Sequence, residues 1–592
     1  MSNNSDEKNP KNGLTSSLDG GAQNGDPSVD NGDIMEIPVE PSSMDISGEG
    51  AKMFVTDAEE GEVPDGPQVS KLKFVCRDGS QGQVKVEKED KGKVQESSET
   101  PKESGDNVDR KAVVTNEQDL VKALDELSVA TSGSEDFKEA VTSNFRRQSM
   151  AHPEMSDEDF VTSSEWKNVK RHIFVLSEAG KPIYSRFGNE EQLATLFGLM
   201  QALVSFVQEN KDMIRSVKVG QTNIVFLAKT PLILVCVSRL DECVAQTQNQ
   251  LMYFYNQIVS ILTSKQLFAI FEKRKNYDLR RLLSGSERLL DNLGNLVEND
   301  PSFVLGAVKC LPLTSSVRET ISQTIIQNLS KTKNVVFAIL IANNQLVSLV
   351  RMKKCFMHPM DLHIILNLID SSESFKTAES WTPLCLPRFD SSGFVHAHVS
   401  YLADDCQACL VLLAVDRDSF FALSEAKQKI VERLRRHNCL EAINASMSNC
   451  WPTMSYVNVQ EVRHFIYKSR SIAQFITPAL DIPYVLPGSD AANNLSIAGN
   501  IQGHNVSPEL QRIYSTYFKM HSRLHSHSRP LKLMYRVDDT ENWIGWLTSS
   551  FELYVAFEPL VTKSAAIAAV NKLLKWVKKE EDRIFIMNSP TF

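Results

Sequence analysis

Residues 171–188 read RHIFVLSEAGKPIYSRFG, and residues 223–238 read NIVFLAKTPLILVCVS. Each is a pair of apolar runs joined by turn residues, Ser-Glu-Ala-Gly at 177–180 and Thr-Pro at 230–231, which is the composition of a β-hairpin. An antiparallel hairpin with one wet face alternates apolar and polar side chains. Residues 224–228 and 232–237 do not alternate; they are apolar throughout. Both faces of this sheet must therefore be covered, by helices on each side or by a partner.

Working outward, residues 190–209 have apolar side chains at helical spacing, and residues 215–220 read as a short strand. Asp241 is placed to cap a long helix running to about Thr263. The order is strand, strand, helix, three strands, helix. It returns in VVFAILI and LVSLVRM, a helix at 358–369, GFVHAHVSYL and CQACLVLLAV, and a helix at 418–436. It comes back a third time in HFIYKS and SIAQFIT, a helix at 507–524, WIGWLTS and FELYVAFE, and a helix at 563–579. Three copies of one α/β plan, each an antiparallel sheet covered by helices, are a stronger signal than any one copy. The expected domains are 163–271, 332–450 and 451–592. Between the first two, 272–331 reads as a helical linker broken at Gly285, Gly294 and Pro301.

Residues 1–162 are rich in Ser, Asn, Gly, Asp, Glu and Lys and poor in aromatics. Such a segment buries too little apolar surface to offset its conformational entropy, so it is expected to be a disordered regulatory region, with a short helix at 117–127. Arg146-Arg147-Gln148-Ser149 has the Arg-Arg-x-Ser form of a basophilic kinase site, making Ser149 a phosphorylation candidate; an unmodified solvated turn has the same composition. A net charge of −10 argues against a nucleic-acid partner. Ten cysteines without a regular framework suit a reducing compartment. The longest apolar runs fall far short of the ~20 residues a membrane span needs, so membrane contact is expected to be peripheral.

No GxxxxGK[ST], HExxH, GxSxG or strand–helix GxGxxG is present, so no catalytic, cofactor or metal residue is assigned. Cys406 and Cys409 form a CxxC, but on a strand positions three apart face opposite ways, so their role is read as structural. His396 with His398, and His521, His525 and His527 at a helix end, lack evident ligand partners and are read as facing solvent or a partner.

Two surfaces stand out. On the 190–209 helix, Leu193, Leu196, Phe197, Met200, Leu203, Val204 and Val207 form a core stripe, while Leu199, Ala202 and Phe206 form a second one. A helix apolar on two sides is buried on two sides, which makes Leu199, Ala202 and Phe206 the expected partner interface. Lys572, Lys575, Lys578 and Lys579 lie on a helix with Leu573, Leu574, Trp576 and Val577, an arrangement suited to an anionic phosphoinositide surface. Basic residues at 273–275 with Arg280 and Arg281, and along 519–532, are further candidates.

The stretch WKNVKRHIFVLSEAGKPIYSRFGNEEQLATLFGLMQALVSF, followed by NIVFLAKTPLILVCVSR, closely resembles the SAND family of vacuolar fusion proteins, of the monensin-sensitivity type, and the resemblance runs on to the C-terminus. It implies three longin-like modules and a heterodimer with a Ccz-type longin partner. It implies guanine-nucleotide exchange on a late-endosomal Rab GTPase, without hydrolysis or cofactor, by a cytoplasmic protein recruited to late endosome or prevacuolar membranes. A longin-based vesicle adaptor or scaffold without exchange activity is the alternative, since fold alone does not settle function.

Overall fold

The computed structural model describes residue 166, residues 169–190, 193–480, 483–484 and 508–592 apart from positions 333, 404 and 450, and the backbone of 71–75 and 81–85. Strands β1 (Lys71–Val75), β2 (Gln81–Lys85), β3 (Arg171–Ser177), β4 (Pro182–Ser185), β5 (Ser216–Val219), β6 (Thr222–Lys229) and β7 (Leu232–Ser238) form one sheet in the order β2-β1-β5-β6-β7-β3-β4. All its neighbours run antiparallel.

The continuous apolar runs have the predicted consequence. Alternate residues of β7 enter two different cores. Ile233, Val235 and Val237 meet Phe197, Met200 and Leu203 of the helix Ala194–Glu209. Leu232, Leu234 and Cys236 meet Leu251, Phe254 and Ile258 of the helix Val244–Leu262 and Leu290 and Leu293 of the helix Glu287–Asn299. At about 25 cal/mol per Å² of apolar surface, covering both faces roughly doubles what such a strand contributes.

β1 and β2 lie inside 1–162, the segment expected to be disordered. They join the sheet at its β5 edge through Lys73↔Lys218 and Phe74↔Val217. An edge strand offers unpaired N–H and C=O groups to any extended segment, so this pairing does not need the composition that signals a core strand. The helix expected at 117–127 and Ser149 fall outside the described residues.

Segment 272–331 is more than a linker. Besides the helix Glu287–Asn299, it supplies β8 (Val308–Lys309) and the helix Ser315–Leu329. Gly294 does not break its helix; a Cβ there would come within 2.7 Å of the Arg186 Nε, so the glycine makes room for a guanidinium paired with Glu298. Pro301 opens the helix Pro301–Leu305 at a position where its missing N–H costs nothing.

β9 (Val335–Ala342), β10 (Gln345–Arg351), β11 (Ser380–Leu386), β12 (Asp390–Ala403) and β13 (Cys406–Ala414) form the second sheet, ordered β10-β9-β13-β12-β11. Asn343 and Asn344, both at positive φ, make the two-residue turn of its first hairpin. Ala338, Leu340 and Ala342 face the helices Ser315–Leu329 and Phe420–Arg436. Phe337, Ile339 and Ile341 face the helix Pro359–Asp370. The third sheet holds β14 (Val462–Ser469), β15 (Gln474–Ile476), β16 (Leu533–Val537), β17 (Asn542–Leu547) and β18 (Phe551–Phe557) in the order β16-β17-β18-β14-β15-β8. The helix Pro508–Leu524 covers one face and the helix Lys563–Lys579 the other. β8 pairs in parallel with β15, so chain from between the first two modules completes the third.

The modules meet through buried polar groups. The Asn367 side chain donates to Gln257 Oε1 and to the Leu289 carbonyl, each at 2.9 Å. His363 lies between the Tyr253 hydroxyl and the Ala307 carbonyl, both at 3.1 Å. The Arg318 guanidinium donates to the carbonyls of Leu311, Asp582 and Phe585. Asp241 does not cap the 244–262 helix. That helix begins after Cys243, whose N–H donates to Ser522 Oγ of the third module, and Asp241 faces Arg523 at 3.8 Å.

Burial lowers His363 to about 4, and His172 and His464 to about 3, from an ordinary 6.5. The unfolded chain therefore binds more protons than the folded one between those limits. Stability is full above pH 6.5 and falls as the pH drops toward 4, by roughly 2 kcal/mol per histidine at pH 5. Asp361, raised by burial to about 6, opposes this below pH 6 because its folded form holds the extra proton. Urea unfolding at pH 7.5 and pH 5 should show a net loss of a few kcal/mol, reduced by about 2 kcal/mol in a folded His363→Gln variant.

Candidate partner and membrane surfaces

The 194–209 helix starts four residues later than its sequence pattern suggests. Glu190 turns back, and its carboxylate accepts from the Ser185 N–H at 3.0 Å, tying the β3–β4 hairpin to the helix start. Phe197, Met200, Leu203 and Val204 point inward and are buried, with Phe197 edge to face on Phe174 at 5.6 Å. The second stripe is graded. Leu199 and Ala202 are half-buried, and Leu199 packs on the margin of the module's own core. Phe206 stands 59% exposed, and Met213 beyond the helix end is exposed as well. Of the three expected interface residues, Phe206 presents the open apolar surface.

The helix Lys563–Lys579 is capped by Thr562, whose hydroxyl accepts from the Ala565 N–H. Its inward side is Ala566, Ala569, Val570, Leu573 and Val577. Leu573 and Val577, expected to accompany the lysines on a membrane, are thus core residues of the third module. Trp576 packs against Trp451 and Phe465. Lys572 faces Glu461 at 3.4 Å and Lys578 faces Glu581 at 2.5 Å, so two of the four positive charges meet a carboxylate. Lys575 and Lys579 are exposed and have no acidic partner within 4 Å among the described residues. The exposed apolar side chains of this element lie toward its start: Leu560, 94% exposed just before the helix, and Ile567. Neither is marked by a local pattern, since Leu560 sits in a Pro-containing turn and Ile567 among alanines.

A second basic site surrounds the helix Ser264–Lys273. Lys273, Arg274, Lys275 and Arg281 are exposed, and so are Phe268 on that helix and Leu282 next to Arg281. Arg280 is taken by Asp278 at 3.1 Å. Cations around protruding apolar side chains suit an anionic interface. No helix among the described residues is long and apolar enough to cross a membrane.

The chemistry-bearing candidates resolve into packing groups. Cys406 and Cys409 enter opposite cores of the second module, and burial raises the Cys409 thiol to about 12, far from a reactive thiolate. The histidines differ from the sequence reading. His398 is fully buried, with Nε2 3.1 Å from Glu379 Oε2, and His396 stacks on Trp381. His521 is buried where the third module meets the first. Strand and helix periodicity placed these rings correctly on their elements, but not the acidic groups that tertiary contact brings to them.

Profiles described as the first, second and third longin domains of FUZ, MON1 and HPS1 match residues 171–293, 333–432 and 461–581. The first reaches past 271 and takes in most of the Glu287–Asn299 helix, in keeping with that helix covering the first sheet. The chain is 46% identical to vacuolar fusion protein MON1 homolog A of Gallus gallus, over 74% of this chain and 75% of the relative. It is 43% identical to protein SAND of Takifugu rubripes, over 75% and 81%, and 37% identical to MON1 homolog B of Homo sapiens, over 77% and 84%.

The graded stripe separates surface from core by experiment. Phe206→Asp should leave unfolding stability within about 0.5 kcal/mol of the parent, as an exposed site does. Phe197→Ala, two and a half turns earlier but buried, should cost roughly 3–5 kcal/mol. Denaturant titration with fixed m-values reads both.

Proposed function

The chain belongs to the MON1/SAND family of three-longin vacuolar fusion proteins, and from that premise we propose that it is one subunit of a heteromeric guanine-nucleotide exchange factor for a late-endosomal Rab GTPase. A Ccz-type longin partner would meet the first module at Leu199, Ala202 and Phe206. The GTPase would bind the composite surface, and the complex would be held on membrane rich in anionic phosphoinositide. The observation that carries this reading is family membership across all three modules, joined to an exposed phenylalanine on the outer stripe of the first module's helix. Exchange breaks no covalent bond. It needs a rigid surface that holds the GTPase with its nucleotide site open, which three two-sided sheets sharing their covering helices are suited to provide.

Membrane recruitment would use Lys575 and Lys579 with Leu560 and Ile567, together with the basic cluster around Phe268. Each lysine or arginine near an anionic surface contributes about 1 kcal/mol, and an inserted leucine or phenylalanine about 1.5–3 kcal/mol at full burial. No one residue holds the protein on the bilayer, and recruitment should respond steeply to salt and lipid charge.

Release of fluorescent GDP from the GTPase is expected to accelerate only when this chain and its partner are both present. Leu199→Asp/Phe206→Asp should lose the partner in a pull-down and the acceleration with it. No acceleration with both chains, in solution and on liposomes alike, would favour the adaptor alternative. In flotation with phosphoinositide liposomes, Lys575→Gln/Lys579→Gln is expected to weaken binding by about 2 kcal/mol, roughly thirtyfold. Lys572→Gln/Lys578→Gln, which removes charges already facing carboxylates, should weaken it less; equal loss from both pairs would remove this helix surface from the proposal.

A further inference from the structure

At the meeting of the third and first modules, the end of the 508–524 helix brings His521 and His525, one turn apart, against the buried carboxylate of Glu552 on β18. One nitrogen from each ring and one carboxylate oxygen lie within 4.8 Å of one another. His525 Nε2 is 3.6 Å from Glu552 Oε2.

The hydrogen bonds around the cluster settle which ring nitrogens are available. His525 Nδ1 is 3.0 Å from the His521 carbonyl, which only accepts, so Nδ1 carries a proton and Nε2 is the nitrogen turned to Glu552. His521 Nδ1 is 3.0 Å from Gln246 Oε1. The Gln246 amide cannot be reversed without loss, because its Nε2 donates to Glu242 Oε1 at 3.1 Å. Glu242 is held in turn by the buried Arg171 through its other oxygen. His521 therefore also donates through Nδ1 and keeps its lone pair on Nε2. The carboxylate is divided as well: Lys468 takes Oε1 at 2.8 Å, with Arg470 3.7 Å from the same oxygen, while Oε2 receives the Tyr554 hydroxyl at 3.2 Å and faces His525.

Two imidazoles gathered beside a buried carboxylate, each with Nδ1 held by an oxygen, reproduce the outer-shell arrangement that orients histidine as a metal ligand. We propose that His521, His525 and Glu552 form a site for a divalent transition-metal ion, with Zn²⁺ the class best suited to a His₂Glu set. Bonds of about 2.0–2.2 Å in tetrahedral geometry draw the ligand atoms to roughly 3.4 Å apart. His525, half-exposed at the helix end, supplies that movement and leaves the fourth position to water. Lys468 and Arg470 repel a dication and moderate its affinity. The bound ion would clamp the end of the 508–524 helix to β18 and, through Gln246 and Glu242, to the first module.

Equilibrium dialysis of the full chain against Zn²⁺, with Co²⁺ as spectroscopic probe, tests this. One metal per chain beyond the His525→Ala variant, with the visible bands of tetrahedral Co²⁺, is expected. His525→Cys should restore binding, since a thiolate is also a ligand, and Gln246→Ala should weaken it about tenfold or more. Zinc should raise the thermal midpoint of the parent and of His525→Cys but not of His525→Ala. Equal metal content in parent and His525→Ala, or octahedral Co²⁺ spectra throughout, would show adventitious surface binding and overturn the site. Circular dichroism of His525→Ala guards against misfolding, which its half-exposed position makes a small concern.

Discussion

The architecture rests on one constraint: the central strands of the first two sheets are apolar on both faces, those of the third largely so, and none can stand in water until both faces are covered. β7 and β9 are buried along their whole length. A single covering helix would leave about half of each strand's side chains wet, so each sheet must recruit helices on two sides, and the chain has to travel to supply them. The stretch between the first and second modules contributes to all three sheets. It lays Glu287–Asn299 on the first sheet, adds β8 to the third and brings Ser315–Leu329 onto the second. The modules are consequently not separate beads, because each lacks part of its cover without its neighbours.

Polar groups sealed at the seams give this packing its specificity. Gln246, Asn256 and Gln257 are buried on the 244–262 helix and bond to side chains of the third or second module. An amide buried without a partner costs about 1–3 kcal/mol, so a seam that matches Gln257 to Asn367 and Gln246 to His521 is favoured over one shifted by a turn. The same matching reaches from Arg171 in the first core, through Glu242 and Gln246, to the histidines of the third module. The two ends of the molecule are thus joined by a short chain of hydrogen bonds rather than by apolar contact alone.

With the interior so occupied, function has to lie on what remains outside. Phe206, Leu560, Ile567 and Phe268 stand exposed, and exposed cations lie on the same chain segments as the last three. These are the surfaces that the proposed partner and membrane contacts would use. The buried thiols and most of the buried histidines serve the fold.

The sequence by itself determined the α/β class, the threefold repetition and the two-sided burial of the central strands, since these follow from periodicity and from runs of apolar residues that need no neighbour to interpret. Its elements also came through: the 563–579 helix is where its pattern placed it, and Cys406 and Cys409 enter opposite cores as their spacing requires. The edge strands β11 and β16 escaped notice, because a strand with one neighbour tolerates Pro383 and exposed side chains that no central strand would accept. Tertiary structure alone decided which faces meet. The glutamines of the 244–262 helix and the lysines of the 563–579 helix read alike as solvated polar faces. Only packing shows that the first are sealed into seams, that Lys572 and Lys578 face carboxylates, and that Glu552 lies beside His525. Such pairings join residues far apart in the chain, and local pattern carries no information about distance between elements.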